Sequence, residues 1–161
     1  MAPLSALAAA RHMCARSDWQ LSNLKLQKML YLAQMLHLGQ TGERLFNGGF
    51  EAWDYGPVVP EVYREVKSFG SGPIKFVMFP TLRAPSRPAD EERVKVLDEA
   101  YDQLANMTAG QLVNVTHWQD GAWAKNYIPG HRNRPIPDPD IIDEYRKRVA
   151  AAEARRAGRA I

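Results

Sequence analysis

The sequence predicts a mainly α fold: a compact, single-domain helical bundle with at most a very short extended or β segment. Three observations predict it. Apolar residues recur at helical spacing, most clearly at Leu26, Met29, Leu30, Ala33, Leu36 and His37. Alternation of the kind a half-buried strand needs lasts only from Gly49 to Trp53. Glycine and proline punctuate the chain between helical stretches, and there is no internal repeat.

Each element follows from its residues. Leu4 to Arg16 is Ala-rich and reads as a first helix. Asp18 or Ser22 caps a second, from about Asn23 to Leu38, whose polar side is supplied by Lys25, Gln27, Lys28 and Gln34. Gly39, then Thr41-Gly42, stops it. In the extended piece that follows, Phe50 and Ala52 take one side and Glu51 and Trp53 the other. Tyr55-Gly56-Pro57 turns the chain, because Gly allows unusual dihedrals and Pro fixes φ. Pro60 opens a third helix to about Phe69, with Val59, Val62, Tyr63, Val66 and Phe69 inward. Phe76 to Phe79 reads as a strand or, given Pro80, Pro85 and Pro88, as part of a surface loop. Asp90 starts a fourth helix to about Met107, with acidic residues at its positive end and Val94, Leu97, Ala100, Tyr101 and Leu104 inward. Thr108 caps a short helix to about Trp118, Asp120-Gly121 breaks it, and Ala122 to Tyr127 adds a helical turn. A Pro-rich connector, Arg132 to Pro139, leads to a last helix from about Asp140 to Ala157. Ile141, Ile142, Tyr145 and Val149 dock that helix, and its Ala/Arg-rich end protrudes.

At 161 residues, with 45% apolar and 24% charged, the chain buries a core without disulfides. Its single cysteine, Cys14, suits a reducing cytoplasm, which is the expected location. No run approaches the roughly 18 apolar residues that span a bilayer, so no membrane partner is expected. The N-terminal apolar run has no basic residue before it and breaks at Arg11, which favours a helix over a signal peptide. The net charge of +3 is small, and its excess sits in Arg146, Lys147, Arg148, Arg155, Arg156 and Arg159. That tail is either a solvated helix that frays or a contact for nucleic acid or an acidic protein.

Four segments carry a family resemblance: NLKLQKMLYLAQ, a glycine near the end of that helix, FEAWDYGPVVPEVYREVKSFG, and Thr116-His117 followed by Trp123. Together they resemble the Panacea (SocA-like) antitoxin domain family, closely over 23–70 and again over 97–123. The resemblance implies a helical domain of bacterial and phage toxin–antitoxin operons. It neutralises a cognate toxin protein by direct occlusion or by delivering it to a bacterial AAA+ protease. On this reading 1–130 is the antitoxin domain, and 131–161 is a connector plus a basic helix packed on or protruding from it. Leu26, Gln27, Gly56, Pro60, Thr116, His117 and Trp123 are its structural signature. The chain departs from the usual pattern at Asp120-Gly121-Ala122, where a proline often precedes the tryptophan.

The expected partner-binding residues are Lys25, Lys28, Trp53, Tyr55, Pro57, Val58 and Arg64. Tryptophan and tyrosine give large rigid contact areas at interfaces, although Trp53 and Tyr55 serve equally well as pins holding the corner to the core. Glu51 and Asp54 are too close along an irregular segment for acid–base work and are better explained by a bond to Lys25 or Lys28. His12, His37, His117, His131 and Cys14 lack metal-ligand spacing, so neither metal nor cofactor is expected. His117 is read as a hydrogen-bond donor locking two helices. Thr116, His117 and Asp120 lack the surroundings of a hydrolytic triad, and no enzyme is expected. Lys25, Lys28, Arg64 and Lys67 form either a solvated face or a phosphate contact, the latter for the alternative of a DNA-binding or mobile-element regulator. No recognition-helix segment supports nucleic acid as a partner. The apolar cluster of Val58, Val59 and Phe76 to Phe79 is a further candidate surface.

Overall fold

A computed structural model describes residues 3–75 and 90–159, so the readings of Phe76 to Phe79 and of the proline loop after them lie outside the described residues. The fold is mainly α. The helices are α1 (Ala6–Arg16), α2 (Asn23–Thr41), α3 (Pro60–Val66), α4 (Glu91–Leu104), α5 (Ala109–Thr116), α6 (Ala122–Asn126) and α7 (Asp138–Arg159). The strands are β1 (Phe50–Trp53), β2 (Gly56–Val58) and β3 (Pro135–Ile136).

Helix α2 is the axis of the molecule. Ser22 caps it by accepting from Lys25 N, and Gly42 ends it at φ 78°. It packs against α1, α4, α5, α7 and β2. The expected stop at Gly39 is corrected: the helix continues to Thr41. Gly39 serves the crossing with α7 instead, since a Cβ there would lie 2.1 Å from Tyr145 Cγ.

The polar side of α2 is also corrected. Gln27, Lys28 and Gln34 are buried rather than solvated. They face the segment 44–59, which carries the short β1–β2 hairpin and the irregular stretch before it. Gln34 Oε1 accepts from Leu45 N at 2.7 Å and Phe46 N at 3.2 Å, while its Nε2 donates to Phe46 O at 2.8 Å. Gln27 Oε1 accepts from Val59 N at 2.9 Å. Lys28 Nζ donates to Pro57 O at 3.0 Å. Positions 27, 31 and 34 fall on one helical face, and Tyr31 completes the set by donating to Glu144 Oε1 at 2.7 Å.

The sheet has order β2-β1-β3, antiparallel throughout, with Glu51 opposite Val58 and Phe50 opposite Ile136. Phe50 and Ala52 face the core as their alternation predicts. The reversal falls at Asp54-Tyr55, one step before the expected turn, and Gly56-Pro57-Val58 is itself β2. Strand β3 lies inside the stretch read only as a connector. Its Pro135 is tolerated because β3 is an edge strand.

Other boundaries shift slightly. The third helix ends at Val66 and passes into a 3₁₀ turn, Lys67–Phe69. Asp90 caps α4 and holds the buried Arg93 at 2.8 Å. Thr108 and Gln111 form a reciprocal capping box on α5. Helix α7 begins at Asp138 and buries Ile141 and Glu144.

Fully buried Glu144 ties three helices. Its Oε1 accepts from Tyr31 and from Ala122 N at 2.9 Å, and its Oε2 from Arg148 Nε at 2.8 Å. Arg148 also donates to Val115 O at 2.6 Å. Burial, then the Glu144 carboxylate, pushes Tyr31 well above the usual phenol range, so its hydroxyl stays a donor. The departure at Ala122 acquires a consequence here, because a proline at 122 has no N–H to give Glu144.

Two outcomes test this interior. Glu144→Ala leaves three donors without an acceptor and lowers unfolding free energy by about 3–5 kcal/mol in urea titration, and Glu144→Gln by less. Burial also lowers Lys28 from its ordinary 10.5 to about 7. Below pH 7 both folded and unfolded chains carry that proton and the penalty is full. Between 7 and 10.5 the unfolded chain binds more protons, so stability rises with pH. From pH 7 to 9 the wild type therefore gains about 2–3 kcal/mol relative to Lys28→Met, read from paired denaturation curves.

Candidate partner-binding cleft

A cleft of about 420 Å³ opens where the start of α2, the β1–β2 hairpin and the end of α3 meet Arg132. Its aromatic wall is Trp53 and Tyr63, edge to face at 4.7 Å. Arg132 lies over both rings, 4.5 Å from the Trp53 centroid and 6.0 Å from that of Tyr63. Lys67 stands at one side, Leu24 and Tyr55 form the rim, and Val58 and Lys28 lie beneath. Tyr55 is 69% exposed, the most exposed large apolar side chain among the described residues.

The hairpin is aimed by what lies behind it. Trp123 Nε1 donates to Trp53 O at 2.7 Å. The Trp123 ring is stacked on His117 at 3.8 Å and on Tyr127 at 4.5 Å. Tyr127 OH donates to Asp54 at 2.6 Å, which raises the tyrosine's pKa and fixes the carboxylate. Glu51 accepts from the Trp53 indole at 3.0 Å. Gly56, at φ 115°, brings the hairpin onto α2, where a Cβ would meet Lys28 Cε at 2.8 Å and Thr116 Oγ1 at 3.1 Å.

Several expectations are corrected by this geometry. Glu51 and Asp54 bond to Trp53 and Tyr127, not to Lys25 or Lys28. His117 does not join two helices by donation. It stacks on Trp123 and bonds to the Tyr55 backbone. Desolvation, then the nearby Lys28 charge, lowers its pKa against that bond, and its Nε2 is buried without a hydrogen-bond partner. The Thr116 hydroxyl is spent on Leu112 O and Val113 O, at 3.0 and 3.1 Å.

Of the expected partner-binding residues, Trp53, Tyr55, Val58 and Lys28 line the cleft. Lys28, Pro57 and Val58 are buried, so they shape the cleft from within. Lys25 points elsewhere, donating to Ala105 O at 2.8 Å, and Arg64 is exposed on α3 outside the cleft. With Lys28 inside, Lys25, Lys28, Arg64 and Lys67 form no single basic face. Of the signature residues, Leu26 is core, Gln27 and Thr116 hold backbone, and Pro60 begins α3. Sequence reasoning missed Arg132 and Leu24. Only the pairing of β3 with β1 brings the connector alongside Trp53, and that pairing has no local signature.

Other groupings have structural partners. His12 meets Asp98 at 2.7 Å and His37 meets Glu43 O at 2.7 Å. Burial raises the Cys14 thiol to about 12. Among the described residues no three His, Cys, Asp or Glu side chains form a set that could hold a metal ion. No described helix is long and apolar enough to cross a membrane.

Comparison with known proteins agrees with the arrangement of these motifs. The family model for the antitoxin SocA-like, Panacea domain matches residues 26–124. Antitoxin SocA of Caulobacter vibrioides (strain NA1000 / CB15N) is 35% identical over 118 residues. The match takes in 68% of this chain and 61% of that protein, so the chain spans about three-fifths of its relative's length. No solved structure matches. The matched region contains most of α2, the hairpin, α3 and the His117–Trp123 stack, and on that ground the chain belongs to the SocA-like antitoxin, Panacea domain family.

Proposed function

We propose that this chain is an antitoxin that binds a cognate toxin protein and neutralises it stoichiometrically, without catalysis of its own. Family membership and the likeness to antitoxin SocA support the role. The observation that carries the reading to a surface is the convergence of the AW.YGPV.P hairpin and the His117–Trp123 stack on one aromatic cleft. The hairpin carboxylates Asp54 and Glu51 are engaged internally, by Tyr127 and Trp53, in bonds that orient the hairpin. Such a surface needs affinity and geometry only.

In this reading Trp53 and Tyr55 meet the toxin directly, with Val58 as floor. Arg64 and Lys25 lie outside the cleft and are not part of this contact, and Lys28 holds the hairpin from beneath through Pro57 O. Neutralisation proceeds by covering the toxin's working surface or by presenting it to an AAA+ protease, and both routes act in the cytoplasm.

The test is expression of the neighbouring gene, alone and with this chain. The expected result is growth arrest alone, relief on co-expression, and co-purification of the two products. Unrelieved arrest with no complex overturns the reading, as does turnover of a small molecule by the purified chain that a single polar substitution abolishes. Tyr55→Ala keeps the thermal melt of the wild type, because the ring is exposed, and weakens toxin binding about tenfold in calorimetry.

A further inference from the structure

The cleft carries a charge pattern that the antitoxin reading leaves unused. Several cations elsewhere are paired: Arg16 with Asp98 and Asp102, Arg44 with Asp138, Arg93 with Asp90, Lys125 with Asp140, and Arg148 with Glu144. Lys67 and Arg132, both exposed at the cleft, have no acidic partner among the described residues. The carboxylate that lines the cleft, Asp54, already accepts from Tyr127 OH at 2.6 Å, and Glu51 accepts from the Trp53 indole at 3.0 Å. Both carboxylates keep their charge, but neither forms an ion pair with Lys67 or Arg132 among the described residues, so these two cations face one carboxylate in the cleft lining.

Arg132 is also held in place. Its guanidinium rests on the Trp53 face at 4.5 Å, which uses the flat side of the group and leaves its N–H donors without a protein acceptor among the described residues. A guanidinium fixed by stacking loses little freedom when it takes a carboxylate in its fork. The rim adds Leu24, 36% exposed, and Tyr55, 69% exposed, to Val58 beneath. A volume of about 420 Å³ suits a few side chains of a peptide rather than the face of a domain.

We propose that the cleft takes an extended acidic segment of the toxin, its carboxylates on Arg132 and Lys67 and its apolar side chains against Leu24, Tyr55 and Val58. This deepens, and rests on, the antitoxin reading. Charge complementarity selects an acidic partner, and the extent of the charge favours a peptide over a nucleic acid, because two cations at one cleft form no track along which a phosphate backbone could run.

The experiment has two arms on the full chain. In the first, fluorescence anisotropy measures a labelled synthetic peptide alternating Glu and Leu, its analogue alternating Lys and Leu, and a single-stranded oligothymidylate. The acidic peptide is expected to bind at least tenfold more tightly than the others, to weaken with salt, and to lose about tenfold in Lys67→Glu/Arg132→Glu. Arg155→Glu/Arg156→Glu, on the exposed end of α7, is expected to bind as wild type. Equal binding of the basic peptide, preference for the oligonucleotide, no binding, or indifference to the cleft double variant overturns the proposal. Circular dichroism shows that each variant is folded, and Lys67→Gln/Arg132→Gln, which adds no negative charge, gives the same order if the reading is right.

The second arm is rescue from the neighbouring gene's product. Rescue by wild type and by the folded cleft variant alike overturns the cleft proposal and leaves the antitoxin role standing. Failure of rescue by wild type, with the acidic peptide still bound at the cleft, overturns the role and supports an acidic-peptide site of another purpose.

Discussion

The fold depends on a buried polar stripe. Between Arg44 and Val59 the only regular structure is the short β1–β2 hairpin, yet both ends of the segment are interior, with Leu45, Phe46, Val58 and Val59 all buried. Backbone groups in that position need partners, and each one left unpaired costs about 1–3 kcal/mol. Helix α2 supplies them with Gln27, Lys28 and Gln34, long side chains that reach past the aliphatic packing to Val59 N, Pro57 O and the amides of Leu45 and Phe46. Lys28 is the most demanding member. A buried amine is tolerated because its pKa falls and because its hydrogen bond holds β2 at the closest approach to α2, over Gly56. The hairpin's position is thus an outcome of the helix that precedes it.

A second layer acts from the far end of the sequence. Trp123 binds the Trp53 carbonyl and stacks between His117 and Tyr127, and Tyr127 in turn holds Asp54. Glu144 sits behind this group, joining Tyr31 on α2 to Ala122 at the start of α6 and to Arg148 on α7. Two networks therefore clamp the hairpin, one through its β2 backbone and one through its β1 end. The motif residues so divide in kind: the signature residues Gln27, Thr116, His117 and Trp123 work inside, and the expected partner-binding residues Trp53 and Tyr55 reach the surface of the cleft.

The sequence is legible where local physics decides. Thr108 caps the helix it was expected to cap, Ser22 is the one of the two candidates, Asp18 and Ser22, that caps α2, Asp90 stands at the expected start of α4, and the alternation of Phe50 and Ala52 against Glu51 and Trp53 places the right pair in the core. It misleads where a polar residue is buried by a distant partner. Gln27, Lys28 and Gln34 look like a solvated face because nothing local announces the irregular backbone they must satisfy. Glu144 looks like one more charge on a basic helix, yet it is fully buried by contacts to α2 and α6. Gly39 looks like a stop, and its real reason, the Tyr145 ring, lies far along the chain. Arg132 escaped notice for the same cause: β3 is two residues long, and its pairing with β1 leaves no periodicity to read.

Arg132 also shows how such a cleft divides its labour. It lies beyond residues 26–124, the part of the chain that the family model matches, whereas the rings beneath it lie within. The inner frame sets the position of Trp53 and Tyr63, and a stacked guanidinium from the connector sets the charge presented above them. Changing that one residue alters the electrostatic face of the cleft and leaves Gln27, Lys28, Trp123 and Glu144 untouched, since none of them bonds to it. On the proposed reading, a rigid aromatic wall lowers the entropic cost of binding whatever the partner, and the cation above it discriminates among partners by charge. Affinity and specificity can then change independently, because they rest on different segments of the chain.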